Sequence, residues 1–569
     1  MKMFLKRRHL EILREMRNTE SQAEIEAKLP DEFQLRAIEL YILGFAELEG
    51  GKIKLTDAGR RLLELTDGLN LDELPDVIAD SEIIKMLELL EETGWVPEKW
   101  LEVLRERKLA DENGLTDFGK GLLGVYRTTH PVVYLTPEIV SFLKGMPKLG
   151  VLDELITFKN SKLYGDNIVN ALQAMRLLMI SPPTERGRAF TITPAAKQAL
   201  KALSMMPVFA RAIVLRKEDF EALKAGRGSA ELESMGLSNE KGTTEFGRAI
   251  METYEAIGKV EEKVLPIYLL DDELSVLKAI EEIEKKHETN PEILPTEKEI
   301  ARRAEVEDVG AILHLLESKE LVERKLVKNR DTYWLTSWGR EAVNFGTVSP
   351  DAMKAVTYAD SGDVPIAEWV LKAQEEGLVK AGVTDKGRFY LRLSRTIRRK
   401  LFLTKYDVAI LAKLPRRKYI HRDELVRLVG DYIGGDEREV IRAIGEAEAK
   451  GFVVELQNGM VKLTGLGERV KTALENAKLQ EIVRVKFSVT PTLYNVLRVI
   501  YENLEAFNRI WKEKGEVRDY KMEEVDVIRK HLSLSDEEIK KALTMLRQLG
   551  FLGSKSLTEA GKVLVEAYL

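Results

Sequence analysis

The chain has 569 residues, 44% hydrophobic and 32% charged, and carries a formal net charge of −6. That length implies several domains, and the balance of apolar and charged residues excludes disorder, collagen-like sequence and low complexity. Cysteine is absent, which removes disulfides, thiol catalysis, thiolate zinc sites and iron–sulfur clusters together.

At the start, Met1-Lys2-Met3-Phe4-Leu5-Lys6-Arg7-Arg8 lacks the apolar core of a signal peptide and runs at once into a charged helix pattern. No apolar run approaches the length of a membrane-spanning helix. A cytoplasmic protein without membrane partners is expected. Lys and Glu are abundant and Gln is scarce, as expected of a protein from a hot environment. The six histidines are too far apart in sequence to read as a metal pair.

A short pattern then recurs eight times along the chain: apolar residue, Thr, two variable residues, Gly, basic residue, apolar helix. The first four copies are Leu55-Thr56-Asp57-Ala58-Gly59-Arg60, Leu115-Thr116-Asp117-Phe118-Gly119-Lys120, Ile192-Thr193-Pro194-Ala195-Ala196-Lys197 and Thr243-Thr244-Glu245-Phe246-Gly247-Arg248. Leu335-Thr336-Ser337-Trp338-Gly339-Arg340 and Val383-Thr384-Asp385-Lys386-Gly387-Arg388 follow, then Leu463-Thr464-Gly465-Leu466-Gly467-Glu468 and Leu557-Thr558-Glu559-Ala560-Gly561-Lys562. Ala196 is the one departure from Gly, and Glu468 the one departure from the basic residue. Thr is a good N-cap, and a carboxylate beside it lies at the positive end of the helix dipole. Gly inside the first turn costs helix propensity, so it marks close backbone packing.

Upstream of each cap stands a helical pattern, such as Asp31 to Ile42, Ile168 to Met179, Val306 to Ser318, Glu437 to Lys450 or Asp536 to Leu549. It ends in a stop such as Leu43-Gly44-Phe45, Lys450-Gly451-Phe452 or Leu549-Gly550-Phe551, where Gly reads as a left-handed C-cap. A strand, a polar turn and a second strand lead into Thr. The caps are 60, 77, 51, 92, 48, 80 and 94 residues apart, partly alternating between long and short. Long units open with an extra apolar strand, at Val132–Glu138, Leu265–Asp271, Lys400–Thr404 and Val485–Pro491. This suggests duplication of a long-plus-short pair.

The order helix, helix, hairpin, helix resembles winged-helix proteins of the archaeal and bacterial regulator type, whose wing strand often runs into a Leu-Thr-x-x-Gly-basic helix start. The fold class so implied is mostly α with small β-hairpins (α+β), as about eight tandem winged-helix domains in an elongated array. Their bounds are 1–70, 71–130, 131–206, 207–262, 263–346, 347–399, 400–484 and 485–569. At full length the chain also resembles an uncharacterised family of large archaeal tandem winged-helix proteins. That likeness is compatible with an archaeal ribosome dimerisation or hibernation factor.

Winged-helix domains commonly read DNA with the second helix of the helix-turn-helix. Here those helices begin with carboxylates: Pro30-Asp31-Glu32, Pro97-Glu98, Glu305-Val306-Glu307-Asp308, Asp436-Glu437 and Ser535-Asp536-Glu537-Glu538. Such starts cap well but repel phosphates. One stretch differs. Lys386 to Arg427 holds 14 Lys or Arg against 3 Asp or Glu, a local charge of +11 that leaves −17 for the rest. Arg388, Arg392, Arg395 and Arg399 recur at helical spacing on one face, followed by Arg398, Lys400 and the cluster Arg416-Arg417-Lys418-Tyr419-Ile420-His421-Arg422. Tyr390, Tyr406 and Tyr419 are interleaved and suit stacking on an unpaired base. The plain alternative is a solvated face that pairs with acidic neighbours of the same molecule.

Phosphate-loop, dinucleotide, zinc-protease and serine-hydrolase motifs are absent from the sequence. Asp271-Asp272-Glu273 reads as helix capping, His314 as near-core, and Tyr333, Trp334 and Trp338 as packing. The expectation is a non-catalytic scaffold without cofactor or metal. It would dock on a ribonucleoprotein such as a ribosomal subunit through Arg388, Arg392, Arg395, Arg398, Arg399, Lys400, Arg416, Arg417, Lys418 and Arg422. Acidic faces would meet basic ribosomal proteins. A homodimer of this kind could bridge two particles or block subunit joining. The alternatives are a DNA-binding regulator or chromatin factor and, more weakly, an enzyme with an unfamiliar site.

Overall fold

A computed structural model describes residues 5–17, 39–49, 52–94, 96, 98–129, 132–151, 168–169, 171–173, 175–181, 184, 186–207, 210, 213–257, 264–306, 308–380, 382–397, 401–456, 459–478, 488–512 and 520–569. The described chain is mostly helical, with small antiparallel strand pairs. It divides into two compact units. One comprises Met1–Lys263, Tyr358–Leu371 and Lys380–Gly382, the other Val264–Thr357, Lys372–Val379 and Val383–Leu569.

The repeated pattern folds into one lock, eight times. Each of Thr56, Thr116, Thr193, Thr244, Thr336, Thr384, Thr464 and Thr558 accepts on its hydroxyl from the backbone N–H three residues on. The same hydroxyl donates to the carbonyl of the residue that stops the upstream helix: Gly44, Lys108, Arg176, Gly236, Glu320, Gly377, Gly451 or Gly550. All eight stops have positive φ, between 53° and 77°. The Thr amide donates to the carbonyl of the next residue, such as Phe45, Leu321 or Phe452. That carbonyl oxygen lies so near the conserved glycine position that a Cβ on Gly59, Gly119, Gly247, Gly339, Gly387, Gly467 or Gly561 would overlap it. Gly is therefore required where the returning helix presses on the stop. The structure gives no reason why the third copy tolerates Ala196.

Opening strands join repeats in twos. Leu5–Lys6 pairs with Val77–Ala79, Val133–Leu135 with Ile213–Leu215, and Leu403–Thr404 with Ser488–Val489, all antiparallel. Leu269 bridges Val348 in the same sense. Short units thus open with a strand as well, where the sequence shows one only in the long units. A two- or three-residue strand needs a partner for its backbone groups, and its counterpart supplies it. The Thr-capped helices of each pair also pack together. Asp57–Leu65 meets Asp117–Thr128, Pro194–Leu203 meets Glu245–Ala256, and Gly465–Asn476 meets Glu559–Glu566. Between Ser337–Phe345 and Asp385–Thr396, the Phe345 and Phe389 rings stack at 4.8 Å.

Apolar cores fill these layers, one running from Leu5 to Ile250 and another from Leu401 to Ala567. The upstream helices keep close to the sequence reading at Val309–Ser318, Glu437–Ala449 and Asp536–Gln548. The Ile168–Met179 helix is corrected. Arg176 is a left-handed stop at φ 58°, and Leu178–Ile180 is a strand. Most of Asp31–Ile42 lies outside the described residues.

Candidate nucleic-acid interface

The basic zone begins on the helix Asp385–Thr396, and much of its charge there serves the fold. Lys386 is half-buried and donates to the carbonyls of Thr347 (2.6 Å) and Glu376 (3.0 Å). Burial holds its ammonium below the ordinary lysine range, against the pull of the Glu376 carboxylate. Arg388 reaches back to the Val383 carbonyl at 2.8 Å and the Asp385 carboxylate at 2.5 Å. Arg60 makes the same strap in the first repeat, to Leu55 and Asp57. Arg392 pairs with Glu341 at 2.9 Å and lies 5.2 Å from the centre of the Trp338 ring. Arg395 is exposed. The helix ends at Thr396, and Ile397 is extended, so among the described residues the arginine stripe comprises Arg388, Arg392 and Arg395. Arg398, Arg399 and Lys400 lie outside the described residues.

Tyr390 is no stacking residue. It is fully buried, and its hydroxyl donates to the Gly346 carbonyl at 2.6 Å. Desolvation raises its pKa. The sequence signal misled because Tyr390 lies between arginines in sequence but faces the core in space. Tyr406 donates to Glu439 and sits under Lys405, 4.9 Å from the ring centre.

The second part of the zone is built differently. Lys405–Lys413 and Arg422–Ile433 flank a turn in which Arg416 pairs with Glu475 (2.6 Å) and Thr472 (3.0 Å). Arg417 has φ 57°, and both Arg417 and Lys418 are exposed, with no ion pair among the described residues. The chain then enters Ile420–His421, the edge strand of a three-stranded sheet with Met460–Leu463 in the middle and Val453–Glu455 beyond. Lys462 lies 4.9 Å from the centre of the Tyr419 ring. Arg422 is half-buried, donating its amide to Gly459 (2.8 Å) and its guanidinium to Glu455 (3.2 Å).

That last contact leads inward to charges the sequence reading missed. Lys354 is buried and pairs with Glu448 (2.9 Å) and Glu455 (2.6 Å). Burial opposes the charge on Lys354, but the two carboxylates outweigh it and raise the ammonium pKa. Burial raises Glu448, with Lys354 opposing; Glu455 ends below the ordinary range because Lys354 and Arg422 overcome its desolvation. Lys319 pairs with Glu273 at 2.6 Å and lies 3.5 Å from Glu446. The available signal was a lone Lys in an apolar helix, Ala352-Met353-Lys354-Ala355-Val356, since a buried cation demands carboxylates.

The helices that the sequence reading expects at groove-reading positions spend charged side chains within their own compact unit. Glu437–Ala449 sends Arg442 to Asp272 at 2.9 Å and Glu446 and Glu448 to the buried lysines. Asp536–Gln548 starts with a Ser535–Glu538 capping box, and Glu538 also pairs with Arg324. Asp308 caps Val309–Ser318, and His314 on that helix is half-buried beside Phe402. Asp272 and Glu273 cap their helix as the sequence predicts, Glu273 accepting from the Leu270 amide at 2.8 Å. Tyr333 is buried, and Trp334 donates to Thr332 at 2.8 Å.

Among the described residues no cluster of three or more His, Asp or Glu is placed to hold a metal, and no helix is long and apolar enough to cross a membrane. A family model described as "Protein of unknown function (DUF505)" matches residues 3–308 and again 304–568. An uncharacterized protein of Methanocaldococcus jannaschii is 59% identical over 567 residues, covering 100% of this chain and 99% of the relative. No solved structure matches the chain.

Proposed function

We propose, for a chain that belongs to the DUF505 family, a non-catalytic scaffold of tandem winged-helix units that docks on a ribonucleoprotein, with a ribosomal subunit as the partner. The sequence of helix, helix, hairpin and Thr-capped helix supports the winged-helix reading. The observation that carries the docking role is the contrast between helices and turn. Helices at the groove-reading positions begin with carboxylates and spend their charged side chains on internal partners. Arg417 and Lys418 on the turn instead face solvent, with no ion pair among the described residues. A reader of duplex DNA needs the reverse, cations at the helix N-terminus and free access to base edges.

Phosphate contacts from such a patch give affinity without sequence reading, which suits the shaped surface of an RNA particle. The acidic remainder of the chain favours basic protein neighbours around that RNA. A scaffold of this kind acts by occupancy, holding subunits apart or, as a dimer, holding two together.

The test is co-sedimentation with purified ribosomal subunits at moderate salt. Replacing Arg417 and Lys418 by Glu abolishes it while the melting temperature stays within a degree or so, since exposed substitutions usually change stability by less than about 0.5 kcal/mol. Undiminished co-sedimentation of the folded variant removes the dock.

A further inference from the structure

Resting on that reading of the basic zone, we infer that the outer row of the three-stranded sheet, Tyr419, Lys462 and Val454, is a stacking platform for an unpaired RNA base whose flanking phosphates meet Arg417 and Lys418. Register places the row. Val454 is opposite Lys462, and Ile420 is opposite Val461, so Tyr419 falls beside Lys462 one step beyond the edge strand. Burial separates the two faces: Val453, Glu455, Val461 and Leu463 are buried, while Val454, Lys462 and Tyr419 are half-exposed. Side chains alternate along a strand, so the three outer residues share a face.

Tyr419 also differs from the other tyrosines of the zone. Tyr390 and Tyr406 spend their hydroxyls on Gly346 and Glu439, whereas the Tyr419 hydroxyl makes no hydrogen bond among the described residues. Its ring carries a cation, Lys462, at 4.9 Å, and two exposed cations precede it directly in the chain. An aromatic ring flanked by cations offers a base its π-face and offers the adjoining backbone its countercharge. Bases inside a duplex keep their faces stacked on one another, so the partner has to be unpaired. The apolar content of the row, one ring and one valine, is too small for the core of a protein interface. Asp423, next to the edge strand, is paired with His421 at 3.5 Å, and Glu455, on the buried face of the sheet, is held by Lys354 and Arg422.

Arg417 adds an independent mark. It holds φ 57° in an exposed turn where Gly would fit without a Cβ penalty. Keeping a cation there sets the direction of that side chain at a cost to the backbone.

The experiment uses the full chain and a fluorescein-labelled single-stranded RNA decamer, read by fluorescence anisotropy, against a duplex RNA and a DNA strand of the same sequence. The single strand of RNA binds best. Tyr419→Ala weakens it about tenfold, the order expected for one stacked base, and Tyr419→Phe restores it. Lys418→Ala weakens binding and lowers the salt slope by about one. Equal binding by Tyr419→Ala, or preference for the duplex, overturns the platform; equal affinity for the DNA strand overturns its assignment to RNA. The two proposals fail separately. RNA binding that depends on Tyr419, without subunit co-sedimentation, removes the ribosomal partner alone. Co-sedimentation that ignores Tyr419→Ala, with unchanged decamer binding, removes the platform alone.

Discussion

On the helix Asp385–Thr396 most of the basic side chains are engaged close to home, whereas on the exposed turn Arg416–Lys418 two of three have no ion pair among the described residues. Arg388 straps its own helix start, Arg392 joins two Thr-capped helices through Trp338 and Glu341, and Lys386 closes a helix end. The turn instead leans on the interior through Arg416 at its start and Arg422 just beyond it. Both stretches are rich in basic residues, so a count of cations alone does not mark a binding surface. What separates them is the neighbour. A cation on a helix packed against another helix finds a carboxylate or a ring within reach, while one on a turn finds water.

The largest way to break this comparison is to remove the buried support of the second region. Lys354→Met leaves Glu448 and Glu455 without their common cation, and stranding buried carboxylates costs about 3–5 kcal/mol. The sign of the pH dependence follows. In the variant Glu448, already raised by burial, loses the cation that opposes that rise, while Glu455 keeps only Arg422, so stability is regained as pH falls and lost as pH rises through the raised Glu448 pKa. Chemical denaturation at pH 5 and pH 8 therefore shows a wider gap from wild type at pH 8. A gap that shrinks at the higher pH contradicts the assigned partners. The helix Asp385–Thr396 carries no buried carboxylate pair of this kind among the described residues and sets the contrast.

A middle-sized effect comes from the glycine locks beneath each region. Gly387→Val and Gly467→Val each force a side chain onto a carbonyl oxygen, Leu378 in one and Phe452 in the other, and overpacking of this sort costs about 1–3 kcal/mol or more. Gly467 follows the strand that carries Lys462, so its valine variant also loses RNA binding below its melting temperature, while Gly387→Val retains it. Gly465→Ala, where nothing lies within 4 Å of the added carbon, is the control for each.

These locks were the most legible part of the fold. A Thr cap, a glycine three residues on and a left-handed stop are local choices, and each copy repeats the same argument from sterics and hydrogen bonding. The strand pairs were less legible. Val77–Ala79 and Ile213–Leu215 are too short for any periodicity, and they exist because a distant partner offers its backbone. The site was legible as charge and only partly as geometry. Arg417, Lys418 and Tyr419 stood in the sequence as a cluster, but Lys462 joins them across a strand register that sequence spacing does not reveal. Tyr390 failed for the converse reason, since its interleaving with arginines concealed a core position. Lys354, the buried support, stood out in the sequence only as a lone Lys among apolar helix residues, and its carboxylates come from a distant part of the chain.

The smallest and sharpest test exchanges one arginine in each region. Arg392→Ala loses a partly exposed cation–π contact and a surface ion pair, together roughly 1 kcal/mol of stability, and leaves RNA binding unchanged. Arg417→Gly behaves oppositely. Gly relieves the left-handed backbone by about 1 kcal/mol, and its greater freedom in the unfolded chain takes back a similar amount, so stability moves by less than about 0.5 kcal/mol. Binding of the RNA decamer nevertheless falls several-fold, because a phosphate partner is gone. Thermal melts and anisotropy on the two variants decide the matter: a structural arginine moves the first readout, a docking arginine the second. If Arg417→Gly alters neither, solvent exposure on a turn is no better guide to function than charge density along the chain.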